Sequence, residues 1–297
     1  MSVAKTREAW QAGIDLIWPS TAQWYPQMHH EILEGWDHFE KRLREIAEDR
    51  LARQIVLGSS GFLYRGQPNS SWSLKTTLER YSTPSFTIER YYQLITAIQA
   101  QVETFTEQQW DQRELPNYPG GYKDWLEENQ RIFPYNLPGY ACMVYLRHHG
   151  FPSPLLDWSR SPYVAAFFAF NSAIAVDKIS IYVYWERPDG IGFHSSAPSI
   201  YHMGPYVKAH PRHFLQQAEY TIGVEFDAEW KYTPHERAFG KDSVHPDALW
   251  KFDLPASERV RVLKLLDVYN LNEFSLFDSI ESMLGTLALR ELSFRDP

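Results

Sequence analysis

The chain has 297 residues, 44% of them apolar and 22% charged, which excludes disorder over most of its length and allows a sizeable core. Its 37 acidic side chains against 29 basic ones give a formal charge of -8, a poor basis for wrapping nucleic acid, although a local basic groove stays open. The single cysteine, Cys142, excludes an internal disulfide or a zinc cage and fits a reducing compartment.

Residues 1–30 are expected to form an N-terminal arm, with a loop over 20–26. No secretory signal is legible there, because Lys5, Arg7, Glu8 and Asp15 interrupt any apolar run. No stretch approaches the ~20 apolar residues of a membrane helix, so a cytoplasmic protein with no membrane partner is expected. Ile32, Leu33, Trp36, Phe39, Leu43, Ile46, Leu51 and Ile55 recur at intervals of three, four and seven, which predicts an amphipathic helix over 31–57. Glycines 58 and 61 end it, Phe62-Leu63-Tyr64 reads as a strand, and Arg65-Gly66-Gln67-Pro68 as a turn behind it. A second long helix is expected over 87–110. Residues 116–138, rich in Pro, Gly, Asn and Tyr, read as a surface excursion.

A short helix over 139–149 follows, closed by Gly150 and Pro152. Leu155 to Trp158 is a short strand or turn. Ser161-Pro162 opens a helix over 163–171, with Ser161 as its N-cap and Pro at its first turn. Strands are expected over 179–185, which is β-branched and aromatic, and over 220–226 and 249–254. Helices over 256–267 and 278–292 close the chain. Together these elements give an α+β class: one mixed domain over 31–292, a central antiparallel or mixed β-sheet and several decorating helices.

Three segments carry more polar detail than folding needs. In Tyr64-Arg65-Gly66-Gln67, an arginine at a strand end can reach a phosphate or carboxylate with two parallel hydrogen bonds, and Gly66 permits close backbone approach. The bland alternative is a surface arginine in a tight turn. In the run from Arg147 to Pro162, His148 and His149 sit about 100° apart on a helix, which argues against a shared metal, and none is expected. Asp157 reads as a buried carboxylate pinned by backbone donors or by Arg65. In Arg212 to Tyr220, an extended backbone would put Gln217 and Glu219 on one face, where the pair could hold a ribose hydroxyl and stabilise positive charge. A polar strand face is the alternative there.

Tyr64-Arg65-Gly66 with Trp72 and Leu74, then His148-x-Gly150-x-Pro152-Ser-x-Leu-Leu-Asp157-Trp158-Ser159-x-Ser161-Pro162-x-x-Ala165, then Pro211-Arg212 and Gln217, resemble the FRG domain family. Leu276-Phe277-Asp278 with Glu281 resembles its C-terminal segment, so the likeness spans about 31–290. Arg147, His149, Pro154 and Glu219 depart from the family pattern. The family is met in bacterial and phage-conflict settings, which implies a toxin or phage-defence effector.

The order Arg65, Ser159, Gln217-x-Glu219 is also similar to the Arg, Ser-Thr-Ser, Gln-x-Glu order of ADP-ribosyltransferases. That resemblance implies NAD as substrate, bound by Tyr64, Arg65, Gly66, His148, Asp157 and Ser159. Glu219, Gln217 and Arg65 would promote cleavage of the nicotinamide–ribose bond through an oxocarbenium-like state. The acceptor, protein or nucleic acid, is not identified by the sequence, nor is transfer distinguished from hydrolysis. Two other readings stay open: a non-enzymatic nucleotide-binding regulatory or sensor module, and a nuclease using His148, His149 and Asp157. Whether Glu219 shares a cleft with Arg65 discriminates NAD cleavage from the binding module.

Overall fold

The computed structural model describes residues 28–52, 61–81, 86–106, 109–110, 137–172, 175–186, 198–204, 207–239 and 248–295. Most of the N-terminal arm, the glycine stop at 58–60 and nearly all of the excursion at 116–138 lie outside the described residues. The strands are β1 (Met28–Ile32), β2 (Phe62–Gln67), β3 (Leu155–Ser159), β4 (Lys178–Trp185), β5 (Ser199–His202), β6 (Ala218–Asp227), β7 (Glu229–Tyr232) and β8 (Ala248–Pro255). They form one sheet in the order β1-β8-β4-β2-β3-β6-β5, with β7 beside β6. β1 and β8 run parallel, whereas the remaining pairs are antiparallel, so the class is α+β with a mixed sheet.

Helices α1 (Trp36–Ala52), α5 (Pro162–Asn171) and α7 (Arg259–Val268) cover one half of one sheet face. Phe39, Phe167 and Leu266 from these helices pack on Ile181, Val183, Phe252 and Leu254 of β4 and β8. The other half of that face is covered by α3 (Ile88–Thr106) and α4 (Tyr140–His148), whose Tyr92, Ile95, Met143 and Leu146 meet Tyr220, Ile222 and Val224 of β6. Alternation along the strands turns Leu63, Leu156, Trp158, Tyr182, Tyr184 and Leu249 to the opposite face, against Leu74 and the 3-10 turn His235–Phe239.

Gly66 shows why the strand β2 motif needs glycine. A Cβ there would stand 1.9 Å from the Ala165 carbonyl oxygen and 2.6 Å from the Ala169 nitrogen, so α5 rests directly on the β2 backbone. The close approach expected of this glycine is therefore to a helix. Ser161 caps α5, accepting from the Val164 N–H, with Pro162 at its first turn. Gly150 takes a left-handed conformation behind α4, φ 82°, and Cys142 is buried among apolar neighbours.

Local periodicity misplaced several elements. The helix expected to start at residue 31 starts at Trp36, because Met28–Ile32 pairs in parallel register with Leu249–Asp253 as an edge strand. That strand straddles the expected arm boundary at residue 30. The segment expected to be extended from Arg212 begins as the short helix α6 (Pro211–Leu215), and Gln217 then turns with φ 48°. The helix expected over 278–292 is α9 (Ile280–Leu292), and a short helix that was not expected, α8 (Glu273–Phe277), precedes it, each opened by its own capping box at Ser279 and Asn272.

Candidate functional site

Strands β2 and β3 share a single residue pair, Tyr64↔Ser159, although each keeps a long register with its outer neighbour. Beyond that pair they diverge, and a cavity of about 350 Å³ opens where both strands, α4 and α5 meet. Tyr64, Arg65, Gly66 and Gln67 come from β2, and Asp157, Trp158 and Ser159 from β3. Arg147 and His148 enter from the end of α4, and Ala165 and Phe168 from α5. Arg212 and Phe277 arrive from α6 and α8, while Trp72 and Arg80 stand on the segment after β2 and on α2 (Thr77–Tyr81).

Asp157 organises the charge. Its Oδ1 accepts from Arg65 Nη1 at 2.7 Å and from Arg147 Nη2 at 2.5 Å, and Arg65 Nη1 also reaches the Asp157 carbonyl oxygen at 2.7 Å. The Arg65 and Arg147 side chains are 11% and 17% exposed, whereas the Asp157 side chain, which lines the cleft, is 44% exposed. Burial raises the Asp157 pKa, but Arg147 and Arg65 outweigh it and hold the carboxyl well below the usual carboxylate range. The Arg65 partner expected for Asp157 is present, and Arg147, which was not expected, joins it; the side chain faces the cleft. The Nε groups of Arg65 and Arg147 are buried without an acceptor.

Two further arginines line the cleft without a carboxylate partner among the described residues. Arg80 donates to the Lys75 carbonyl at 3.3 Å, and burial followed by the nearby Arg65 and Arg147 lowers its pKa. Arg212 donates to the Phe277 carbonyl at 3.3 Å and lies 5.4 Å from the centre of the Phe277 ring. Four arginines against one aspartate give the lining a formal charge of +3. His148 adds none at neutral pH, because burial drops its pKa to about 4, and its Nε2 pairs with the Tyr220 hydroxyl at 2.7 Å. Ser159 is engaged structurally, its Oγ donating to the Gln216 carbonyl at 2.8 Å and accepting from the Ser161 N–H at 3.1 Å.

Of the residues singled out from sequence, Tyr64, Arg65, Gly66, His148, Asp157 and Ser159 converge on this cleft, though far apart in the chain. Gln217 and Glu219 do not line it. The Gln217 carbonyl accepts from the Arg160 N–H at 3.0 Å in the turn before β6. Glu219 pairs with Trp158 across β3 and β6, so its side chain leaves the sheet on the face opposite Asp157 and Tyr220. It is 4% exposed and bound to His202, with Arg160 Nε at 3.5 Å. His202 Nδ1 also reaches Glu186 at 3.3 Å. The expected shared face fails because Pro211 starts a helix where an extended strand was expected.

Arg80, Arg147, Arg212 and Trp72 were not singled out as site residues. Arg147 precedes His148 on the same helix end and Arg212 sits in the Pro-Arg pair, so both carried some signal; Arg80 carried none locally. Among the described residues no group of three or more His, Cys, Asp or Glu is placed to hold a metal ion. No helix among them is long and apolar enough to cross a membrane.

Residues 60–178 match the family model of the FRG domain. The matched span runs from just before β2 to the start of β4 and includes Tyr64-Arg65-Gly66, Arg147, His148 and Asp157. Arg212 and Phe277 complete the cleft from beyond it. No curated protein and no solved structure matches the chain.

Proposed function

We propose that the FRG domain of this chain, completed by α6 and α8, forms a binding site for a phosphorylated nucleotide and serves as a regulatory or sensor module. The observation that carries this reading is a cleft lined to +3 in a chain of formal charge -8. Arg65 and Arg147 are held in place by Asp157, while Arg80 and Arg212 make no carboxylate salt bridge among the described residues, an arrangement suited to phosphate oxygens. Trp72, Tyr64 and Phe168 supply aromatic surface for a base. The cavity sits near the lower end of the ~300–1,000 Å³ range of small-molecule sites, room for one nucleotide-sized ligand.

Cleavage of NAD is the less supported alternative. It asks for a carboxylate beside the ribose that stabilises growing positive charge. Glu219, the residue expected to do so, is turned to the other sheet face and held by His202. Asp157 does face the cleft, but two guanidiniums already neutralise it.

Calorimetric titration of the full chain with adenosine, AMP, ADP and NAD tests this, alongside a nicotinamide-release assay. Affinity should rise from adenosine to ADP and fall with salt, and Arg80→Ala and Arg212→Ala should each weaken ADP binding about tenfold, the ~1.4 kcal/mol of one lost charge-assisted contact. Binding that ignores the phosphates would overturn the proposal, and nicotinamide release abolished by Glu219→Gln would restore the catalytic reading.

A further inference from the structure

Asp157 gives only half of its carboxylate to the arginines beside it. Arg65 Nη1 and Arg147 Nη2 both donate to Oδ1, at 2.7 and 2.5 Å. Those two bonds occupy both lone pairs of that oxygen. Oδ2 accepts from no described residue, and it is not among the buried polar atoms shut away from solvent. Since the side chain is 44% exposed and lines the cavity, Oδ2 is the oxygen that meets the cleft.

A carboxylate that served only as counterion to two guanidiniums could place one arginine on each oxygen and use its full acceptor capacity. Crowding both onto Oδ1 instead leaves Oδ2 with two free lone pairs, held in a fixed direction by the bonds on its neighbour. The donor that suits them is not a cation. Arg65, Arg80, Arg147 and Arg212 with Asp157 leave the lining at +3, so an ammonium or guanidinium would be repelled. A neutral O–H or N–H remains. In a nucleotide whose phosphates lie on Arg80 and Arg212, the sugar stands between the phosphates and the base. Its hydroxyls are therefore the neutral donors closest to the arginine cluster that Asp157 belongs to. A vicinal diol presents two O–H groups side by side, which matches one oxygen with two free lone pairs.

With a phosphorylated nucleotide as occupant, the reading on which this rests, we propose that Asp157 Oδ2 accepts from the 2′- and 3′-hydroxyls of the ribose, so that the cleft selects ribonucleotides over deoxyribonucleotides. Calorimetric titration of the full wild-type chain with adenosine, ADP, 2′-deoxy-ADP, 3′-deoxy-ADP and inosine diphosphate tests this without disturbing the fold. Removing either hydroxyl should weaken binding about tenfold or more, as expected for one hydrogen bond to a charged acceptor. Asp157→Asn should bind ADP and both deoxy forms alike, because its oxygen stays with the arginines and its Nδ2, a donor, stands where Oδ2 was. Three results overturn the proposal and leave the nucleotide reading standing: deoxy forms that bind the wild type as tightly as ADP, a loss that follows the exchange of adenine for hypoxanthine instead of the hydroxyls, or full discrimination retained by Asp157→Asn. Affinity that is the same for adenosine and ADP removes the nucleotide-phosphate reading itself, and this proposal with it.

Discussion

Replacing Asp157 by asparagine keeps the shape of the residue and removes the one negative charge in the cleft. Arg65 and Arg147, 11% and 17% exposed, would then share a nearly buried site with no anion between them. Breaking a fully buried ion pair costs ~3–5 kcal/mol. Because the Asp157 side chain is 44% exposed, solvent screening reduces this to roughly 2 kcal/mol. For a chain of 297 residues that is a fall in melting temperature of about 3 °C. The pH dependence follows from the direction of the shift. The folded carboxyl lies below its ordinary value of 3.8, so its contribution is fully present above that pH and is lost as pH falls toward the folded value. Thermal unfolding followed from about pH 3 to pH 8 should show a constant offset between wild type and variant at neutral pH that narrows below about pH 4. Adding phosphate should restore part of the loss, because the lining rises from +3 to +4 and an external anion can take the place of the carboxylate. A variant that melts with the wild type at neutral pH, or that phosphate leaves unchanged, would refute the assignment of Asp157 as the charge that holds the two arginines together.

Two other substitutions probe the scaffold. Gly66→Ala forces a methyl group to within 1.9 Å of the Ala165 carbonyl, so α5 must lift off β2; a loss of about 3 kcal/mol or more is expected in urea unfolding, with weaker ADP binding because Phe168 moves too. His202 is pushed up to about 9: burial lowers its pKa, but Glu186 and Glu219 outweigh burial. Its contribution is therefore complete below about pH 6.5 and lost as pH rises through 9, so His202→Gln should cost up to about 3 kcal/mol at pH 6 and flatten the alkaline limb of the wild-type melting curve.

How far the chain could be read without coordinates depended on where each signal was stored. Helix α5 was legible because Ser161, Pro162 and the apolar run after them are local. β4 was legible because Ile-Ser-Ile-Tyr-Val-Tyr-Trp is β-branched and aromatic. β1 was not, since Met-His-His-Glu-Ile becomes a strand only through its pairing with β8, more than two hundred residues later. In the cleft, Arg65 and Asp157 were found as motif residues and their pairing was expected, but the second partner was not, because Arg147 comes from another element. Glu219 misled for a physical reason. Its spacing from Gln217 has meaning only if both lie on one strand, and the helix begun by Pro211 ends in a turn at Gln217. Asx, Ser and Pro signals mark where elements start; they do not report which face a following strand turns to the core.

Asp157 also determines how the cleft behaves when nothing is bound. Two guanidiniums held side by side repel one another and, without an anion between them, would be pushed apart. Here a resident counterion prevents this permanently, so the arginines keep their geometry in the free protein. On the proposed reading, an incoming phosphate would meet a preorganised receptor and lose little by ordering it. It must also coexist with an anion already seated there, which caps how tightly any one phosphate is held. A site built this way favours rapid exchange and responds to ligand concentration, which suits a receptor that reports a level rather than one that retains its cargo.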